Sequence, residues 1–226
     1  MAMVTMMQML ILGLTLGLLG SDAMSSPPSS APVRCARGLV VEVVPSGTTV
    51  ERGCVRVEGE SRTREGHWRV FDDGRLDNEG PFRAGRKHGL WRGFTADGKR
   101  AWTAQWKDGV EHGVWRTWYS NGKLETEITF AAGKLEGPWK SFHPNGKARD
   151  VQRYAAGVLD GKVMSRDELG RLRIEGAYRA GKRHGWWREL CPDGKPFVAA
   201  RWEDGVAVEG DVTGVPPDKI PCETWR

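Results

Sequence analysis

The sequence predicts an all-β protein: an elongated antiparallel sheet of six 24-residue β-hairpin repeats with small capping segments. Three observations carry this. The 226 residues include 30 Gly and 11 Trp, a composition of frequent tight turns with large aromatics between them, which suits short strands and not long helices. Two glycine ladders share one period: Gly74, Gly98, Gly122, Gly146, Gly170 and Gly194 are each 24 residues apart, and so are Gly85, Gly109, Gly133, Gly157, Gly181 and Gly205. The aromatics keep the same period. Trp91, Trp115, Trp139 and Trp187 share one position, which Trp68 fills in a first copy one residue shorter; Phe82, Trp106, Phe130, Tyr154, Tyr178 and Trp202 share a second, and Phe71, Phe94, Trp118 and Phe142 a third.

Taken in order, residues 1–23 read as a signal peptide. Met1 to Gly20 contains no charged side chain, its most apolar part is Met9 to Leu19, and Ser21, Asp22 and Ala23 follow as a small-residue cleavage site. A retained N-terminal membrane anchor is the alternative, because an apolar run of this length just spans a bilayer. Residues 24–34, MSSPPSSAPVR, form a Ser/Pro-rich linker. Residues 35–65 are an N-terminal cap holding Cys35 and Cys54, residues 66–205 the six repeats, and residues 206–226 a C-terminal cap. The caps are expected to cover the two open edges of the sheet, with the alternating GLVVEVV of Gly38 to Val44 as an edge strand. Four cysteines in an exported chain, with no CxxC spacing, point to disulfides, and the expected local pairs are Cys35–Cys54 and Cys191–Cys222.

Within the copies, Asp73-Gly74, Asp97-Gly98, Asn121-Gly122, Asn145-Gly146 and Asp193-Gly194 are Asx-Gly pairs, which favour type I′ hairpin turns. The second strand then alternates: Leu124, Thr126, Ile128 and Phe130 face one way, Glu125, Glu127 and Thr129 the other. A lone hairpin is marginal in water, so the copies must stack, about 10 Å apart, and cover one another's apolar residues.

Residues 113–137, GVWRTWYSNGKLETEITFAAGKLEG, and residues 89–113, GLWRGFTADGKRAWTAQWKDGVEHG, resemble the variant MORN repeat, and bacterial proteins of this kind are often catalogued as YwqK-type antitoxins. The resemblance implies extended antiparallel hairpins used for protein or membrane contact and not for catalysis. Copy five departs from the pattern, with Val163, Arg166 and Leu169 at the Trp, aromatic and Asx positions, and is the expected weak point. An exported chain would not meet a cytoplasmic toxin, so antitoxin-like neutralisation ranks last among the functions.

Arg75, Lys99, Lys123, Lys147, Arg171 and Lys195 follow the turn glycine in every copy and form a basic row along one edge. The row could track an anionic membrane or cell-wall polymer. The competing reading is that each is a solvated hairpin residue, since the net charge of +5 is ordinary for solubility. Nucleic acid is not an expected partner, because export would remove the chain from it. His88, His112 and His184 share one slot, but same-slot imidazoles about 10 Å apart cannot reach one zinc ion, so a turn-lining role is expected and no metal site. No catalytic motif and no cofactor site is present. The in-phase aromatics are read as core. Of the out-of-phase ones, Trp102 joins the inner face by parity, while Tyr119 and Trp186 are the expected surface contacts. The function expected is an exported, non-enzymatic surface for an unidentified protein partner in the cell envelope.

Overall fold

The computed structural model describes residues 32–211, all of them strand, turn or irregular. Among the described residues nineteen strands form one sheet, and the pairings in it are antiparallel. Val40–Ser46 pairs with Thr49–Glu58, which pairs with Ser61–Asp72, which pairs with Arg75–Arg83. From there the repeat takes over. In copy two, Arg86–Lys87 and Gly89–Phe94 are two parts of one strand broken at His88, and both parts pair with Arg75–Arg83. Gly89–Phe94 turns back into Arg100–Lys107, on which the next copy is laid. The same order continues to Pro196–Glu203 and Val206–Asp211. Among the described residues no helix is long and apolar enough to cross a membrane; the leader expected at residues 1–23 lies outside them.

The turns correct one expectation. Type I′ turns, with positive φ at both central residues, fall on the second glycine ladder: Ala84-Gly85, Asp108-Gly109, Ala132-Gly133, Ala156-Gly157, Ala180-Gly181 and Asp204-Gly205. Of the five Asx-Gly pairs on the first glycine ladder only Asp73-Gly74 is type I′, because the first copy is one residue shorter and leaves a two-residue loop between Asp72 and Arg75. The later copies carry the extra residue and close differently. Gly98 N–H donates to the Thr95 carbonyl and Thr95 N–H to the Lys99 carbonyl, both at 2.8 Å, with Gly98 alone at positive φ. This is the three-residue loop of a type I turn and a glycine bulge. The Asx side chain folds back over that turn: the oxygens of Asn121, Asn145 and Asp193 accept from the N–H groups of Lys123, Lys147 and Lys195 at 3.0, 2.9 and 3.0 Å.

Alanine at positive φ is strained, and contacts between copies hold it there. In each type I′ turn of the second ladder the glycine N–H donates to a carbonyl of the preceding copy, from Gly85 to Arg64 at 3.0 Å through Gly205 to Arg183 at 3.0 Å. The residue before the glycine is bound as well. The N–H groups of Ala84, Ala156 and Ala180 donate to carboxylates of Glu65, Glu136 and Asp160 at 3.1, 2.8 and 3.0 Å. The turns stack on one another, which ties neighbouring copies along that border of the sheet.

The described parts of the two caps lengthen the sheet, as Val40–Ser46, Thr49–Glu58 and Val206–Asp211, while residues 212–226 of the expected C-terminal cap lie outside the described residues. Val40–Ser46 is itself the first edge strand, with Val40, Val41 and Val43 about half exposed. Val206 and Val208 are exposed on the last strand. Pro45 removes one N–H from the first edge strand. The Cys35–Cys54 disulfide is present, with Cα atoms 5.6 Å apart, and pins the chain entering the sheet to the second strand. Cys191 is buried and disulfide-bonded, and its expected partner Cys222 lies outside the described residues.

Candidate binding face

A single sheet has no second layer to cover its aromatics, so the rings must be covered from within the sheet. The indoles of Trp68, Trp91 and Trp187 lie flat across glycines of the neighbouring strand: a Cβ added to Gly53, Gly80 or Gly176 would collide with the ring. Each indole N–H then reaches the carbonyl just beyond its glycine, on Cys54, Pro81 and Ala177, at 3.0 Å in all three cases. Gly80 and Gly176 stand eleven residues before their tryptophans. At that position Trp115 has Ala104 and Trp139 has Ile128. With Ala104 at that position, the Trp115 N–H bond to the Gln105 carbonyl is 3.4 Å long and the ring is half-buried, as is Trp139. Trp68 and Trp91, by contrast, are 0% and 1% exposed.

The outer face of each seated ring is covered by a cation four residues earlier in the chain. Arg64 lies 4.2 Å above the Trp68 ring and 5.3 Å from Phe82; Lys87 lies 4.3 Å above Trp91 and 5.0 Å from Trp106; Arg183 lies 4.5 Å above Trp187 and 4.9 Å from Trp202. Long aliphatic stems shield apolar surface while the cation rests on the ring face. Burial pushes the Lys87 ammonium below its ordinary pKa, against the pull of Glu51 and Glu111. Edge contacts link the rings, with Phe82 between Trp68 and Trp91 at centroid distances of 5.9 and 5.2 Å. Trp102 joins this face as parity requires, lying over Gly93 and packing on the buried cluster of Val55, Trp68 and Trp91.

Copies three and four lack the cover. The residue four before Trp115 is Glu111, and before Trp139 it is Leu135. Among the described residues no cation lies over Trp115, Phe130, Trp139 or Tyr154, and all four stay half-buried. Beside them runs a polar line: Thr117 and Thr126 share a hydrogen bond of 2.8 Å, and Asp150 accepts from Ser141 and Ser165 at 2.7 Å each and from Arg149 at 2.9 Å. The aromatic face is closed at both ends of the repeat and open in the middle. A sequence signal for it exists, in the residues four and eleven positions before each tryptophan, and periodicity of the aromatics alone does not reveal it.

The other residues singled out from sequence have these places. Lys123 and Lys147 of the basic row reach the next turn, their Nζ donating to the carbonyls of Asn145 and Leu169 at 2.6 and 3.0 Å. Arg75, Lys99, Arg171 and Lys195 pair with Asp73, Asp97, Asp167 and Asp193 at 3.7, 2.8, 2.8 and 3.4 Å. Hydrogen bonds from Lys99 and Thr95 hold the Asp97 carboxyl down to about 2. Tyr119, expected as a surface contact, is half-buried, and its hydroxyl donates to the Phe142 carbonyl at 2.7 Å, one copy on. Trp186 is exposed, at 52%, on the opposite face. His88 lines a turn, its Nδ1 accepting from the Asp108 N–H at 3.4 Å, in the slot where other copies place Glu65, Glu136 and Asp160.

This architecture defines a single-sheet hairpin-repeat protein with one aromatic face. Residues 111–132 and 135–147 match the family described as MORN repeat variant. The matched stretch includes Trp115, Phe130 and Trp139 of the open middle of the face. No curated protein matches the chain. Among solved structures, a GtfA/B complex bound to UDP and GlcNAc is similar over 69% of this chain and 28% of that one, at 12% identity and a TM-score of 0.24.

Proposed function

We propose that this chain is an exported, non-enzymatic repeat protein that holds a protein partner on the open stretch of its aromatic face, within the cell envelope. One observation carries the reading: copies one, two and six cover their tryptophans with their own cations, and copies three and four leave Trp115, Phe130, Trp139 and Tyr154 half-buried with none. Half-exposed aromatics gathered on a rigid surface are what protein partners bury as the centre of an interface. Export draws on the apolar leader and on the Cys35–Cys54 disulfide, a bond that persists in oxidising compartments. Attachment to an anionic membrane or wall polymer draws less support, because every cation of the basic row already has a partner.

The test is site-directed photo-crosslinking in the native cell, with the reactive group at Leu135 on the open face or at Leu90 on the opposite face. The expected result is one dominant protein adduct from Leu135 in the envelope fraction and none from Leu90. Adducts from neither site, together with binding to anionic vesicles that is lost when Lys99, Lys123 and Lys147 are reversed in charge, would overturn it.

A further inference from the structure

The protein shows on its own surface what the open position accepts. In three copies a Lys or Arg side chain lies 4.2 to 4.5 Å above the tryptophan ring and also contacts the next aromatic. The third copy has the same pair of rings, Trp115 and Phe130, with centroids 5.0 Å apart. In place of the cation it has Glu111, directly across the strands from Trp106. The Glu111 carboxylate points to the neighbouring turn, with Oε2 3.7 Å from where a Cβ on Gly133 would lie. It makes no hydrogen bond or close ion pair among the described residues. Lys87 is near enough to feel its charge, but that ammonium already lies over Trp91 and Trp106.

We propose that Trp115, Phe130 and Glu111 form a binding site for a Lys or Arg side chain from a basic segment of a partner protein. The incoming cation takes the place that Arg64, Lys87 and Arg183 take in their own copies, and Glu111 supplies an opposite charge beside it, as Glu51 does for Arg64 at 2.7 Å. Replacing the intramolecular cation by a carboxylate turns a self-covered ring into one that needs a cation from outside. A cation held between an aromatic face and a carboxylate is favourable on both counts. The inference rests on the aromatic-face reading above and names the chemistry of the partner.

The experiment uses the purified chain and two short peptides, one carrying alternating Gly and Arg, the other with citrulline, the uncharged isostere, at each Arg. Binding is read from the Trp115 indole N–H resonance, assigned by its loss in Trp115→Phe. The arginine peptide is expected to shift this resonance, and the citrulline peptide to bind at least about tenfold more weakly. Glu111→Lys restores the repeat's own cover and is expected to weaken the arginine peptide at least about tenfold. Glu111→Gln keeps the rings and removes the charge, and is expected to weaken it several-fold. This second variant also keeps the proposal falsifiable should Glu111→Lys fold poorly, with its new ammonium beside that of Lys87. Equal affinity for both peptides, or unchanged affinity in Glu111→Gln, overturns the proposal. A Leu135 crosslink that persists unchanged in Glu111→Lys overturns the cation site and leaves the aromatic-face reading standing. Arginine-peptide binding with no Leu135 adduct in the cell supports the site and overturns that reading.

Discussion

Substituting Gly80 by alanine isolates the seating of Trp91. Gly80 is not at positive φ, so the new methyl adds no backbone strain and acts only on the ring above it, with which it would collide. The outcome is already displayed in the third copy, where Ala104 lies under a half-buried Trp115. Raising Trp91 from 1% exposed to a similar height uncovers about a third of the roughly 200 Å² a tryptophan buries, a loss of about 2 kcal/mol at 25 cal/mol per Å². Stretching the indole bond to the Pro81 carbonyl from its present 3.0 Å costs about 0.5 kcal/mol more. The better strand backbone of Ala over Gly returns about 0.5 to 1 kcal/mol. The net is about 1.5 kcal/mol, a fall in thermal midpoint of roughly 3–6 °C for a domain of this size. Circular dichroism melting measures it, and a red shift of tryptophan emission should accompany it. A midpoint at or above wild type would refute the claim that glycine is there to seat the ring. The complementary change, Ala104→Gly, is expected to let Trp115 settle and to move the emission to the blue.

The remaining predictions concern other features of the fold. Reducing the Cys35–Cys54 bond, or replacing both residues by serine, releases a loop closed over a separation of 19 residues and is expected to cost about 3 kcal/mol, read as a lower urea midpoint; equal midpoints for the oxidised and reduced protein would contradict it. Burial raises the Asp150 pKa, and the hydrogen bonds from Ser165, Ser141 and Arg149 outweigh it, so the carboxyl titrates below its ordinary value. A lowered folded pKa gives stability that is present above the unfolded pKa near 4 and lost as pH falls through the folded value. The thermal midpoint should therefore drop less steeply below about pH 4 in Asp150→Asn than in wild type, and parallel curves would show that Asp150 contributes nothing. Replacing Lys123 and Lys147 together by methionine removes two bonds between turns and is expected to lower stability by about 1 kcal/mol in all while leaving the Leu135 crosslink intact. Loss of that crosslink with unchanged stability would assign the row to binding instead.

Much of the fold was legible in the chain because repetition makes local rules visible. The hairpin period, the inner face of Ile128 and Phe130 and the placement of Trp102 follow from spacing and parity, and the Cys35–Cys54 pair from chain proximity. The Asx-Gly pairs were harder. Their composition matches a type I′ turn, but one residue of loop length decides between that turn and a type I turn with a bulge, and only the short first copy has the two-residue loop. The Ala-Gly pairs that do form type I′ turns are disguised, since the alanine at positive φ is held by a carboxylate 19 or 20 residues earlier in the chain. The bond of Tyr119 was hidden for a related reason: its hydroxyl finds the Phe142 carbonyl 23 residues on, a partner that only stacking of copies supplies.

The sequence by itself determined the repeat, its period, the parity of its faces and the even spacing of its turns, all of which depend on residues close together along the chain. The tertiary structure alone decided which tryptophans are covered and which are left open. That outcome depends on what the strand pairing places beneath each ring and on what the next turn lays above it. Gly80 and Lys87 close Trp91, and Ala104 and Glu111 leave Trp115 open, because register brings residues from different strands onto the two faces of one indole.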